Sequence, residues 1–267
     1  LIPVALESGS LVLVNYTARI KDTGEVIETT QEEEAKKLGV HDPTKKYEPR
    51  LVAVGEGWVL KGVDEAISAA EVGQKLTVEV PPDKGFGVRE PNKLKMIPIR
   101  RFGEKGPELK VGDEVEVENK IGIVRFVGSG RAQVDFNHRY AGKTLIYDME
   151  IVKNIETDLE KISALIKRRL PVEEEKLKIA IEDSTANIEL PSEYYLTEGL
   201  QILKKAIAND IFKFVKSVGR TRFIESYEGP KPTETKVPSP EQPAPEAQVP
   251  SAEQQAPEAP AQQTTVS

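Results

Sequence analysis

Cysteine is absent from this 267-residue chain, which excludes disulfides, thiol nucleophiles and cysteine-ligated metal sites. Histidine is almost absent too. His41 and His138 stand far apart, too few for a histidine metal cluster and a thin basis for a histidine-driven triad. No apolar run approaches the length of a membrane span. The opening "LIPVALESGS" lacks the basic start and long apolar stretch of a signal peptide, so a cytoplasmic protein with no membrane partner is expected. Positive charge is not in excess: the net charge is −7 and the basic residues are dispersed among acids, which disfavours nucleic acid as a partner. "GEGWVLKG" and "GFGVREP" are not glycine-rich loops in a strand–loop–helix setting, so no dinucleotide site is expected.

What is present is a globular composition, 38% hydrophobic and 30% charged, in a chain long enough for two or three domains. From Ser8 to about Lys153 strand signals dominate. "LVLVNYTARI" alternates, with Val12, Val14, Tyr16, Ala18 and Ile20 on one face, and the turn "KDTGEV" follows. Thr30 and Glu33 have the spacing of a capping box for a short helix that Gly39 stops. "WVLKGVDEAISAA" takes helical period, with Val63, Ala66 and Ile67 inward. "GQKLTVEV" returns to strand period, with Leu76, Val78 and Val80 inside. The last strand of the region places Leu145, Tyr147, Met149 and Ile151 on one face.

Between Ile97 and Asn137 the pattern changes to short strands and tight turns, including Gly128-Ser129-Gly130. This reads as a small β-domain set inside the first one. From about Ile155 to Glu228 a third unit reads helix, strand, strand, helix, strand. Its first helix opens with a capping box at Thr157/Glu160 and is stopped by Pro171. Its second is expected from about Leu196 to Val218, with Leu196, Leu200, Leu203, Ile207, Ile211 and Phe214 as one stripe. Ile202, Ala206, Ala208 and Phe212 widen that stripe beyond one core face. Arg100-Arg101 and Arg168-Arg169 read as solvated faces. After Gly229 the chain is rich in Pro, Glu, Gln and Ala with no core-forming pattern, the composition of a disordered, solubilising tail.

Four segments, "VNYTARIKDTGEVIETT", "VGEGWVLKGVDEAI", "EVGQKLTVEVPPDKGFG" and "VDFNHRYAGKTLIYDMEIV", together resemble the FKBP-type peptidyl-prolyl cis–trans isomerases, in the long, SlyD-like branch. They cover roughly residues 8–153. The later "IELPSEYYLTEGLQILKKAIANDIFKF" is similar to the C-terminal domain of long archaeal members. The resemblance implies an α+β fold: an FKBP-like antiparallel sheet wrapped on a short helix, with a small inserted β-domain and a C-terminal αββαβ domain. The implied domains are 1–96 with 138–153 for isomerisation, 97–137 as an insert in the flap that binds unfolded chains, 155–228 as the C-terminal domain, and 229–267 as the tail. Partners implied are unfolded or partly folded proteins with X-Pro bonds. No cofactor is implied, and the tail has no His or Cys with which to handle metal.

Carried over residue by residue, the resemblance makes Tyr16 the pocket tyrosine and sets Ile27 and Glu28 where the family has an aromatic–aspartate pair. Val59, through its backbone, and Leu60 contact the peptide. Val63 takes the place of a floor tryptophan, Phe86 that of a tyrosine, and Tyr140 and Tyr147 form walls. Trp58 is five residues out of register for the floor. The longer Glu28, the missing hydroxyl of Phe86 and the small Val63 weigh against tight macrolide binding. Without the resemblance, Tyr16, Ile27, Val63 and Tyr147 read as core, Glu28 as a solvated strand-end acid, and His138 as a structural residue of the flap return. In the insert, Ile121, Ile123, Val124 and Phe126 are the expected client-binding side chains. A peptide-binding chaperone or scaffold with little catalysis stays open as the alternative function. The over-wide apolar helix is expected to homodimerise, with packing onto the isomerase domain as the alternative.

Overall fold

The computed structural model describes residues 6–227 and residue 229; the tail expected at 229–267 lies, but for its first residue, outside the described residues. The chain opens with β1 (Leu11–Ile20), β2 (Val26–Thr29), α1 (Glu32–Lys37), β3 (Arg50–Ala53), α2 (Lys61–Ser68) and β4 (Lys75–Val80). Four strands of another sheet then intervene: β5 (Leu94–Pro98), β6 (Glu114–Val117), β7 (Lys120–Gly128) and β8 (Arg131–Asp135). β9 (Leu145–Ile155) rejoins the first sheet. α3 (Asp158–Lys167), β10 (Lys178–Glu182), β11 (Thr185–Glu189), α4 (Leu200–Phe214) and β12 (Arg220–Ile224) complete the order. The α+β class and the expected succession of elements are those observed.

The first sheet runs β2-β1-β9-β4, and β3 pairs with Leu11 to Val14 of β1, on the same edge as β2 and beyond its end. β1 and β9 are antiparallel from Leu11 opposite Ile155 to Ile20 opposite Leu145. Alternation buries Val12, Val14, Tyr16, Ala18 and Ile20 with Leu145, Tyr147, Met149 and Ile151 against Val63 and Ile67 of α2. The register shifts between Leu13 and Val14 because Val152 is an extra residue on β9. Past that bulge, Ile155 turns to the opposite face, where Leu11 lies by ordinary alternation, and the two share a core with Ile162 and Ile166 of α3 and Ile207 and Ile211 of α4. The two longest paired strands therefore serve two cores, one on each face.

The inserted sheet runs β5-β8-β7-β6 over a small core of Ile97, Val124, Ala132 and Val134. Its hairpins turn at Glu118-Asn119 and Ser129-Gly130, left-handed at both residues of each, as two-residue loops with strand-matched twist require. Its sheet starts at Leu94 rather than Ile97, because Leu94 to Pro98 pair with β8. In the C-terminal sheet, β11 pairs antiparallel with β10 and parallel with β12. None of the helices among the described residues is long and apolar enough to cross a membrane.

Three local expectations are corrected. The residue before α1 is Gln31 and it makes no side-chain cap; the Thr30 hydroxyl instead accepts the Tyr16 N–H at 2.9 Å, because sheet pairing claims it first. α4 begins at Leu200, since Gly199 adopts a left-handed conformation (φ 74°) that breaks helical continuity, and Leu196 is almost wholly exposed. The arginine pair of the C-terminal unit is not a solvated face. The Arg168 guanidinium lies 3.7 Å from the Trp58 ring centre, and Arg169 Nε bonds Asp210 at 2.7 Å. The Thr157 cap does form, its hydroxyl accepting the Glu160 N–H at 3.3 Å.

Candidate functional site

The eight apolar and aromatic residues predicted for the pocket fall in or beside a single cluster. Tyr16, Val63 and Tyr147 are buried in it, and Ile27, Val59, Leu60, Phe86 and Tyr140 pack against it half-buried. That gradient, from closed floor to open rim, is what a concave site needs. Tyr16 and Tyr147 lie on β1 and β9, where Tyr147 pairs with Ala18, and their rings meet tilted with centres 5.6 Å apart. Val63 closes the floor from the first turn of α2.

One polar relay borders this cluster. The Tyr16 hydroxyl donates to Glu28 Oε2 at 2.8 Å, and Arg50 Nη2 donates to Glu28 Oε1 at 3.0 Å. The Arg50 guanidinium carbon is 5.6 Å from the Tyr16 ring centre. Burial pushes the Tyr16 phenol far above its usual range, the Arg50 charge opposing and the Glu28 charge reinforcing the shift. Tyr147 is pushed up to about 12, first by burial and then by the Glu28 charge. Both phenols therefore stay neutral throughout the physiological range.

The loop before α2 is fixed from two sides. Asp64 accepts the N–H groups of Gly55 at 2.8 Å and Gly57 at 3.1 Å, both glycines being left-handed. Behind it, Trp58 meets Phe214 of α4 edge to face and lies under Arg168. Trp58 thus points away from the pocket that its neighbours Val59 and Leu60 line. The N–H groups of Val59 and Leu60 donate to no other described group.

Phe86 closes the other side. Gly87 takes a positive φ of 83°, and a Cβ at Gly85 would approach Pro81 O to 3.2 Å, so a glycine fits better than a larger residue on each side of the ring. The Phe86 ring stacks on the His138 imidazole at 4.3 Å and leans on Tyr140 at 5.5 Å. His138 also orders the return of the flap, its carbonyl accepting the Ala141 N–H at 2.8 Å. The two arms leading to the insert are pinned together. Gly142 N–H bonds Gly87 O at 2.8 Å, and Asn137 exchanges two hydrogen bonds with the Glu90 backbone. Asp135, buried at their base, pairs with Arg89 and Arg125. Burial pushes its carboxyl up, but the Asn137 donors and the Arg89 charge outweigh that and hold it below the usual carboxylate range.

The four expected client-binding residues divide between two faces. Ile121 and Phe126 are exposed on the outer face of β7 and Ile123 is half-buried. Val124 has no exposed surface and belongs to the core of the insert, so it cannot meet a client. The bulge at Arg125 separates it from Phe126, which strict alternation would have placed on the same side. Sequence reasoning does not mark Arg50 or Asp64, and it gives Thr30 only the role of a helix cap. Each acts through partners seven or more residues away, which no local pattern reveals. Among the described residues no group of three or more His, Asp or Glu side chains converges as a metal site would require.

The family described as FKBP-type peptidyl-prolyl cis-trans isomerase matches residues 3–152, and the one described as FKBP26_C-terminal matches 158–228. The chain is 32% identical over 146 residues to a short-type peptidyl-prolyl cis-trans isomerase of Methanocaldococcus jannaschii, covering 55% of this chain and 92% of that one. It is 27% identical over 153 residues to the FKBP-type 16 kDa peptidyl-prolyl cis-trans isomerase of Escherichia coli, covering 56% and 93%. To the FKBP-type peptidyl-prolyl cis-trans isomerase SlyD of Haemophilus influenzae it is 29% identical over 126 residues, covering 46% and 66%.

Proposed function

The chain belongs to the FKBP-type peptidyl-prolyl cis-trans isomerases, and from that premise we propose that it catalyses X-Pro isomerisation in the pocket between α2 and the first sheet while its insert holds unfolded clients. The observation that carries the reading is the convergence of Tyr16, Ile27, Val59, Leu60, Val63, Phe86, Tyr140 and Tyr147 on one apolar cluster with a half-exposed rim. Amide resonance sets a barrier of about 18–20 kcal/mol to rotation. The twisted amide has less charge separation than either planar form, so a dry apolar site favours it, whereas water favours the planar forms. The chemistry needs no nucleophile and no metal. The open N–H of Leu60 or Val59 holds the peptide carbonyl, Phe86 and Tyr147 flank the proline ring, and the Glu28–Arg50 pair holds Tyr16 in place.

The exposed Ile121 and Phe126 support a client-holding role for the insert, since apolar side chains left in water on a small sheet favour an apolar partner. The same reasoning supports self-association through the C-terminal unit, where Ile202 and Phe212 of α4 remain exposed. The direct test of the isomerase reading is an NMR exchange or protease-coupled assay on a proline-containing tetrapeptide. Catalysis absent from well-folded protein would leave a peptide-binding scaffold as the function of the pocket.

A further inference from the structure

A groove of about 610 Å³ runs along the insert between edge strand β5 and the β6–β7 hairpin. Its floor is apolar: Ile97, Val117 and Phe136 line it, with Met96 nearly half exposed at its edge. Its rim is basic. Lys93, Lys95, Arg100, Arg101 and Lys120 surround it, against one acid, Glu118. Lys93 is paired to Glu90 at 2.6 Å and Arg101 to Glu118 at 2.9 Å. Lys95, Arg100 and Lys120 are exposed and have no carboxylate partner among the described residues.

This charge is segregated rather than compositional. From Leu94 to Asp135 eight cations stand against seven acids, in a chain whose net charge is −7. The alternation of β6 puts Val115 and Val117 on the core side and Glu114 and Glu116 on the other, which takes two of those acids off the groove. An extended segment lying there would bury apolar side chains on the floor and bring its own charges beside three unneutralised cations. Complementary charge at such a rim raises the association rate and selects between partners, and like charge rejects them.

We propose that this groove selects, among unfolded client segments, those in which apolar residues are interspersed with Asp or Glu. The inference rests on the reading of the insert as the client-holding element and adds the chemical class of client to it. Nucleic acid fits less well: the groove offers Phe136 as its one aromatic ring, where single-stranded binders stack successive bases.

The test uses the full chain and two fluorescent, proline-free peptides of equal length, one alternating Phe with Glu and the other Phe with Lys, titrated by anisotropy. Lacking proline, neither peptide is a substrate for the isomerase pocket. The Glu peptide is expected to bind about tenfold more tightly than the Lys peptide at low salt, with the margin shrinking as salt rises above about 0.15 M. The triple charge reversal K95E/R100E/K120E, at three exposed positions, should invert the order and leave tetrapeptide isomerisation unchanged. Equal binding of both peptides, or preference for the Lys peptide, overturns charge selection while leaving the insert as a client-holding element. Binding of neither, with tetrapeptide turnover intact, removes the client-holding reading and the inference with it. Stronger binding of a short single-stranded oligonucleotide than of the Glu peptide would also overturn it.

Discussion

Trp58 and Phe214 meet edge to face, ring centres 5.3 Å apart at 82°, joining the loop that carries Val59 and Leu60 to the end of α4. Asp64 fixes the same loop from within. The C-terminal unit thereby braces the loop that forms one wall of the proposed pocket. Trp58→Ala and Phe214→Ala should each slow tetrapeptide isomerisation several-fold and lower stability. The aromatic pair itself should show a coupling of about 0.5–1.5 kcal/mol in a double-mutant cycle. Additive losses in stability and rate would mean that the contact does not act on the loop.

Phe86→Ala should sharply reduce isomerisation with the fold intact, because the ring stands half-exposed on a loop and packs mainly on His138 and Tyr140. Tyr147→Ala should reduce activity too, but with a stability loss of about 3–5 kcal/mol, since its ring is buried in the sheet core. Steady-state turnover and urea midpoints separate the two effects. Full activity in a folded Phe86→Ala variant would remove Phe86 from the site.

The raised phenols predict a stability profile at alkaline pH. A tyrosine whose folded value lies above its unfolded value of about 10 holds its proton more tightly when folded. Its contribution is fully present below about pH 10 and is lost as pH rises through the folded value, about 12 for Tyr147. Urea midpoints should thus be insensitive to these groups from about pH 6 to about pH 9 and fall above about pH 10. Tyr147→Phe should flatten part of that fall. An unchanged alkaline profile in this variant would show that Tyr147 titrates normally.

Replacing the insert with a short flap should leave tetrapeptide isomerisation nearly unchanged, because the pocket lies in the other sheet. It should slow proline-limited refolding of a whole protein by roughly a hundredfold, the loss expected when tethering near the pocket is removed. A shortened protein that refolds its client at the original rate would shift client holding to the C-terminal unit.

Sedimentation of the full chain and of a chain ending near Lys153 tests self-association. The exposed Ile202 and Phe212 predict that the full chain is dimeric and the shortened one monomeric. A monomeric full chain at micromolar concentration would mean that these side chains simply face water.

The sheet was legible in the sequence because one face of β1 is buried from Val12 to Ile20 and one face of β9 from Leu145 to Ile151, which imposes a strict period of two on those residues. The proposed walls of the pocket rest on the resemblance, since Tyr16 and Tyr147 look like core residues without it. What stayed hidden depends on partners distant in sequence or on single-residue irregularities. Arg50 reaches Glu28 across 22 positions, and Trp58 turns away from the pocket toward a helix more than a hundred residues later. Two bulges, at Val152 and Arg125, reassign faces that alternation alone gets wrong, and the second is why Val124 was grouped with Phe126. Gly199 set the start of α4 against an apolar stripe that ran straight through it.

The pairing of Leu11 with Ile155 orders events at the ribosome. All four strands of the insert lie between Leu94 and Asp135, so its contacts close as soon as that segment has emerged. The first sheet must wait, with β1 unpaired along its β9 edge, until the chain has been made through residue 155. A nascent molecule therefore carries a finished insert, the element proposed to hold clients, before it has a finished first sheet. On that proposal, the earliest unfolded segment within reach of the insert is the chain's own N-terminal strand.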